Sequence, residues 1–348
     1  MLEITSTRHN PLVDPSVHVW GWEQPVYLFF GGLVAGMMVL AGLSMLRALR
    51  EERGAGDYNV QTPILGFVLL NVGMTALFID LAHRWHVWAV YITLKPYSPM
   101  SWGSWILLLV FPVLIASALV RLPSAWPWLG RRVPMLGVAS DYLLARTSLM
   151  QLLAYSNIIV GIGLGIYTGM LLNTMVARPL WNTALLPLLF LVSGLSAAAA
   201  TMHLLSRLVP AGPAPQTLIG GGIASLLQSL DPMPPERKKS IALARADIAF
   251  LAVELTLLAL LLLSHFSGSA SQIEAARIVT SGPYAFLFWG GVVFAGILVP
   301  LVMQLLELGH RIPHTIIPAV LVIAGGFALR WVIVFAGQLS HVLSNPGL

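Results

Sequence analysis

The chain has 348 residues, of which 57% are hydrophobic and only 9% charged, with a mean hydropathy of +0.83. A soluble domain of this length needs far more polar surface, so the composition points to an integral membrane protein. No cysteine occurs, which excludes disulfides, thiolate-held iron–sulfur clusters and c-type haem attachment, and the net charge of +5 sits in short loops between apolar runs, an orientation and phospholipid signal rather than a nucleic-acid surface.

The first stretch, "MLEITSTRHNPLVDPSVHVWGWEQP", is polar and has no apolar centre. It reads as an extramembrane arm over residues 1–22 and not as a signal peptide. An apolar run of about 20 residues crosses the hydrocarbon core as a helix. Such runs follow at 27–49, 63–82, 102–122, 149–172, 185–208, 248–266, 284–306 and 314–337. They predict an all-α integral membrane fold with eight transmembrane helices. Asn157, Asn173 and His203 interrupt the fourth and fifth runs. A loop with Gly and Pro at both ends is expected at 209–247, and a short tail at 342–348.

Eight spans put both termini on one side. That side carries Arg8, Arg84, Lys95, Arg178 and Arg277, whereas the opposite side carries thirteen Lys and Arg, including Arg47, Arg50, Arg131, Arg132 and the "ERKK" cluster. The positive-inside rule therefore places both termini outside and the 209–247 loop in the cytoplasm. "PVYLFFGGLVAG" (25–36) and "PLLFLVSGLSAA" (187–198) align at an offset of 162. The alignment suggests two four-helix bundles, 23–177 and 178–341, entered from the same face.

The end of the second span, "FIDLAHRWHVW", gathers Asp80, His83, Arg84 and His86. At about 1.5 Å per residue Asp80 lies roughly 26 Å from the inner boundary, just beneath the outer surface. With the helix continuing, Asp80, His83 and Arg84 share one face at i, i+3 and i+4. One interpretation is that these groups have simply reached headgroups and water, with Asp80 paired to Arg84. Against it, an acid just inside hydrocarbon is costly unless it lines a protein interior or a wet cavity. His18, Glu23 and Tyr27 at the mouth of the first span, Tyr167 near the outer end of the fourth, and the Pro- and Trp-rich loop "KPYSPMSWGSW" reach the same depth. An apolar niche with His, Tyr and a carboxylate suits a quinone, whose carbonyls need donors and whose reduction needs protons. The alternative is that Tyr27 and Tyr167 are only interfacial belt residues.

At these residues the chain resembles the polysulfide reductase/NrfD family of membrane subunits, through "PVYLFFGGLVAG", "DLAHRWHVW", "SPMSWGSW", "YTGMLLN", "PLWNT" and "GGFALRWVIVFAGQ". The resemblance implies a menaquinone or ubiquinone site at the outer face, with no haem or iron–sulfur cluster held by this chain. It implies His18, Tyr167 and the Asp80/His83 cluster as quinone-site residues, with Tyr27 and Arg84 beside them. It further implies a ferredoxin-like iron–sulfur subunit linking the chain to a molybdopterin catalytic subunit. The expected location is the bacterial inner membrane, multi-pass, with periplasmic termini. The chain alone, lacking a metal ligand set, is expected to show no redox activity.

In the second half, Glu254 lies near the middle of the sixth span and Arg330 within the eighth, at depths differing by roughly 10 Å. Separate partners are therefore expected rather than a direct pair. Glu254, with His203, Gln304 and Glu307 deeper in, could form a proton relay from the cytoplasm, with Arg330 supporting it or the outer cluster. The same groups could equally bind helices together by hydrogen bonds. Two other functions compete. A haem b-binding cytochrome subunit requires facing His pairs, for which His203, His310 and His314 are candidates. A secondary transporter with two four-helix repeats requires binding groups at the midplane, where only Glu254 lies.

Overall fold

The computed structural model of the protein describes residues 20–50, 61–81, 83–125, 132–208, 237–309, 311 and 315–340. The arm with His18, loop residues 209–236, His310, His314 and the 342–348 tail lie outside the described residues.

The elements in chain order are α1 (Glu23–Arg50), α2 (Gln61–Asp80), a 3-10 turn (Arg84–His86), α3 (Val87–Ile92), α4 (Pro99–Ala125), α5 (Pro134–Leu144), α6 (Thr147–Asn173), α7 (Leu185–Leu208), α8 (Arg237–Phe266) and α9 (Ala270–Thr280). A π-helical segment (Leu287–Leu298) then runs into α10 (Val299–Leu308), and α11 (Ile317–Leu339) closes the described fold. Eight helices among the described residues are long and apolar enough to cross a membrane: α1, α2, α4, α6, α7, α8, the π segment with α10, and α11. Helices suit this solvent because each satisfies its own backbone polar groups.

Helix α8 starts at Arg237, well before the expected residue 248. The part of the expected loop between 237 and 247 is therefore helical, and Asp247 lies inside α8. Charged residues mark where an apolar run stops, but a helix can continue past that point into the interface. The connection between α8 and the π-helical segment also holds a surface helix, α9, opened by a capping box in which Ser269 and Gln272 bond each other's backbone N–H groups. The seventh span carries the π segment directly before Pro300. Proline has no N–H to donate, and its ring clashes with the carbonyl four residues back in an α-helical turn, which favours the wider turn here.

Helix α1 is buried along most of its length and packs against α2, α6, α7 and α11. Its approach to α7 is the closest kind available to two helices. A Cβ on Gly194 would overlap the backbone of Gly32, and one on Gly36 would overlap the backbone of Gly194. Small residues permit this contact, and without a hydrophobic driving force between spans such packing is what holds them. Polar side chains add cross-links. Asn157 on α6, which interrupts its apolar run, donates to Ser117 Oγ of α4 at 2.8 Å and to Leu153 O at 2.8 Å.

The two ends of the described fold meet. Trp20 N donates to Gln338 Oε1, and Gln338 Nε2 donates back to Trp20 O, each at 3.1 Å. The Trp20 ring stacks on Trp181, whose Nε1 donates to Ile333 O at 2.7 Å. Arg178 Nη1 donates to the carbonyls of Gln338 and Ser340. This end of the helix array is called the terminal face below.

Candidate functional site

Helix α2 ends at Asp80, four residues earlier than the shared-face geometry of Asp80, His83 and Arg84 requires. His83 has φ −114° and ψ 67°, outside the helical region, and opens the 3-10 turn. The cause is local: the Arg84 guanidinium folds back and donates to Ile79 O from Nε (3.1 Å) and Nη2 (2.6 Å). It thereby satisfies one of the carbonyls a helix C-terminus leaves open. His83, Arg84 and His86 are exposed, and the two imidazoles meet edge to face at 6.3 Å. Asp80 has a partner other than Arg84, against the interpretation in which the two pair at the headgroups. Gln24, in the first turn of α1, donates from Nε2 to Asp80 Oδ2 at 2.6 Å. Gln24 is 4% exposed, and its own Oε1 is buried without a hydrogen-bond partner.

One turn along α1 from Gln24 stands Tyr27, which is buried and meets Tyr167 of α6 through their hydroxyls. Tyr91 of α3 is the third phenol, within electrostatic reach of both. It is held there by the start of α4. Ser104 Oγ donates to Val90 O at 3.1 Å, and Ser101 Oγ donates to Thr93 O at 3.3 Å and accepts from Lys95 N at 3.0 Å. Half-burial pushes the Tyr91 phenol up from its ordinary range, so it remains a neutral donor at neutral pH. The motif "SWGSW" acquires a physical role at Gly103, where any Cβ would fall on the Tyr167 phenol carbon and hydroxyl. Leu28, Leu171 and Leu172 supply the apolar surround, with Met74 and Leu77 beside them.

The structure thus pairs Asp80 with Gln24, and Tyr27 with Tyr167 near Tyr91; the sequence did not single out Gln24 or Tyr91. Gln24 was discoverable from its i, i+3 spacing to Tyr27 at the head of an apolar helix. Nothing local in "WAVYI" marks Tyr91, whose position depends on Ser101 and Ser104, ten and thirteen residues away.

A second polar group lies deeper among α7, α8, α10 and α11. Arg330 is fully buried and donates from Nη1 to Ser193 Oγ (2.5 Å) and Gly326 O (2.9 Å), and from Nη2 to Phe190 O (3.0 Å). Its guanidinium carbon also lies 5.1 Å from the Phe190 ring centroid. Ser193 hydrogen-bonds Glu254 as well, so one hydroxyl joins acid and base with no direct ion pair between them. The two charges are nearer in depth than the run boundaries implied, because α11 continues to Leu339 and both are better measured from the terminal face. Asp247, also missed, accepts from Ser196 Oγ at 2.8 Å and from Gln304 Nε2 at 2.5 Å. Glu307 accepts from Thr315 N at 3.0 Å and Oγ1 at 3.3 Å. His203 lines a small cavity with Asp247, Gln304 and Glu307.

Among the described residues, no group of three or more His, Cys, Asp or Glu is arranged to hold a metal ion. His265, which is buried, has Nδ1 2.8 Å from Leu261 O and Nε2 3.2 Å from Pro179 O, so both nitrogens face main-chain carbonyls.

Comparison with known proteins gives one consistent result. The family model described as "Polysulphide reductase, NrfD" matches residues 6–220 and 219–342. A polysulfide reductase chain of Wolinella succinogenes is 31% identical over 328 residues, covering 92% of this chain and 94% of the relative. The protein NrfD of Escherichia coli is 27% identical, covering 92% and 96%. A selenate reductase subunit of Mesobacillus selenatarsenatis is 22% identical, covering 92% and 74%.

Proposed function

Because the chain belongs to the polysulphide reductase/NrfD family of membrane proteins, we propose that it is the quinone-reactive anchor of a multi-subunit respiratory oxidoreductase. The observation that carries this reading is the buried, unpartnered Oε1 of Gln24 beside the Asp80 carboxylate and the paired phenols of Tyr27 and Tyr167. An orphaned buried acceptor costs about 1–3 kcal/mol, so a site that keeps one calls for a ligand with a hydroxyl to give. A quinol has that hydroxyl, and its oxidised form has carbonyls for phenol donors.

Menaquinone or ubiquinone supplies a two-electron, two-proton couple there. Tyr27 donates to the Tyr167 hydroxyl, Tyr167 donates to one oxygen of the head group, and Gln24 Oε1 accepts from a hydroxyl. Asp80 exchanges the proton with water at the terminal face. Gln24 Nε2 holds Asp80 in place throughout, and Phe78 and Ile79, both exposed, leave the approach from lipid open. Tyr91 extends the row of donors toward the face. His83 and Arg84, exposed on the turn beyond α2, belong to the rim.

The distribution of Lys and Arg supports a periplasmic terminal face, in keeping with a place in the bacterial inner membrane. Electrons then pass between the quinone and a ferredoxin-like iron–sulfur subunit docked on that face, and through it a molybdopterin subunit. Two relatives carry the names of reductase components, which supports an assembly of this kind. The buried row from Glu307 through Asp247 and Glu254 to Arg330 is the candidate proton relay by which quinone turnover would be coupled to proton translocation.

The test is quinol turnover by the assembled complex carrying Asp80→Asn or Tyr167→Phe. Each should fall by about tenfold or more, the scale of a lost general acid–base or donor group. Wild-type turnover in both variants would count decisively against the site.

A further inference from the structure

The connection between α4 and α6 holds α5, an eleven-residue helix at the end of the array opposite the terminal face. At about 1.5 Å per residue it is roughly 16 Å long, too short to cross a hydrocarbon core of about 30 Å. It lies against the ends of the spans instead. Ser140 is buried and donates from Oγ to Val120 O of α4 at 3.0 Å. Leu143 and Leu144 pack against the cluster that Met45 and Ala48 of α1 form with Met150 and Leu153 of α6.

The outward side of α5 is apolar as well, and it is open. Met135, Val138 and Tyr142 are 80%, 68% and 51% exposed. At about 100° per residue they stand within about 60° of one another and form a stripe, while Asp141 turns about 100° away from Tyr142. Arg146 folds over the Tyr142 ring, its guanidinium carbon 4.0 Å from the ring centroid. Arg132, just ahead of the helix, is exposed, as are Arg47 and Arg50 in the last turn of the neighbouring α1. Among the described residues none of these four guanidiniums is paired with a carboxylate.

An apolar stripe facing outward at the end of a span belongs in the boundary between headgroups and acyl chains, where tyrosine is also favoured. Unpaired cations around the stripe call for anions at the same depth. Stacking holds the Arg146 guanidinium on the ring and leaves its N–H edge free, the arrangement that meets phosphate oxygens two at a time. We propose that α5 is an interfacial anchor whose Tyr142–Arg146 pair, with Arg132, binds the phosphodiester headgroup of an anionic phospholipid in the adjacent leaflet. The acyl chains of that lipid lie along Met135 and Val138. Phosphatidylglycerol meets both requirements, whereas phosphatidylcholine brings a cation that the arginines repel. The bound lipid ties α5 to the membrane and so steadies the corner between α4 and α6, at the opposite end of the array from the quinone site.

The experiment uses the complete complex, stripped of lipid in detergent, with phosphatidylglycerol or phosphatidylcholine added back and both melting temperature and bound lipid measured. Phosphatidylglycerol should raise the melting temperature and stay bound, and phosphatidylcholine should do neither. The double variant Arg132→Gln/Arg146→Gln should bind phosphatidylglycerol about tenfold more weakly or worse, the scale of two basic groups at an anionic surface. Arg311→Gln, which removes an exposed cation outside α5, should bind it normally. Met135→Ser/Val138→Ser leaves every charge in place and should also weaken binding, so it decides the question if the arginine variant does not assemble. Equal effects of the two lipids overturn the proposal, as does normal binding in the arginine variant or equal weakening by Arg311→Gln. The same thermal shift from inorganic phosphate alone overturns it too, because the site would then take a free anion. So does a photo-cross-linker at position 138 that captures a protein subunit, and not phospholipid, in native membranes.

Discussion

Gly103 lies flat against Tyr167, at a place where no other residue's Cβ would fit over the phenol. The contact joins the start of α4 to the last third of α6 and sets where the Tyr167 hydroxyl meets Tyr27. Gly103→Ala is expected to displace the phenol and not the helix, because only one ring must move. Overpacking of this kind costs about 1–3 kcal/mol. Quinol turnover should drop by about tenfold, at 1.4 kcal/mol per decade, while the variant is recovered in the complex at normal yield. Normal turnover in a fully assembled Gly103→Ala complex would show that the phenol's position does not matter.

Gln24 has two tasks, donating to Asp80 and leaving an acceptor open. Gln24→Leu removes both, and Gln24→Glu keeps an acceptor but sets a carboxylate beside Asp80. Both should raise the KM for quinol, Gln24→Leu by about tenfold on the strength of one charge-assisted bond and one orphaned group. Steady-state titration with a short-chain quinol measures this, and an unchanged KM in Gln24→Leu would contradict it.

Arg330 and Glu254 share Ser193, so they should behave as one energetic unit. Removing one member of a buried charged set costs about 3–5 kcal/mol through the charge left behind. Arg330→Met should accordingly lower the melting temperature of the complex in detergent and reduce its recovery. The double variant with Glu254→Leu should regain part of that loss, because no uncompensated carboxylate remains. A double variant no better than Arg330→Met would mean the two charges act independently.

Much of this arrangement was legible from the residues, and the exceptions share a cause. Run length and hydropathy locate eight spans, because lipid leaves the chain few options. Depth along a helix also follows from counting, which brings Tyr27, Asp80 and Tyr167 to one level. Counting does not say what lies around the axis or when a helix stops. Asp80 sits at the last position of α2 because the Arg84 side chain closes the helix there, and that event has no periodic signature. Asp247 looked like loop because Arg237, Lys238, Lys239 and Arg245 precede it, yet α8 runs straight through them. The π segment had a visible cue in Gly290, Gly291 and Pro300 within one span, but its length followed only from the coordinates. The aligned repeats are informative in a way their sequences alone could not be: Gly32 and Gly194, which occupy equivalent positions, touch through their backbones.

The location of the quinone site is tested most directly by photolabelling the intact complex with an azido-quinone and mapping the modified peptides. Labelling is expected on the segments that hold Gln24 and Tyr27, Asp80 and Tyr91, and Tyr167, and excess native quinone should suppress it. Label confined to α8 and α10 around Asp247 and Gln304, with none at the terminal face, would contradict the account.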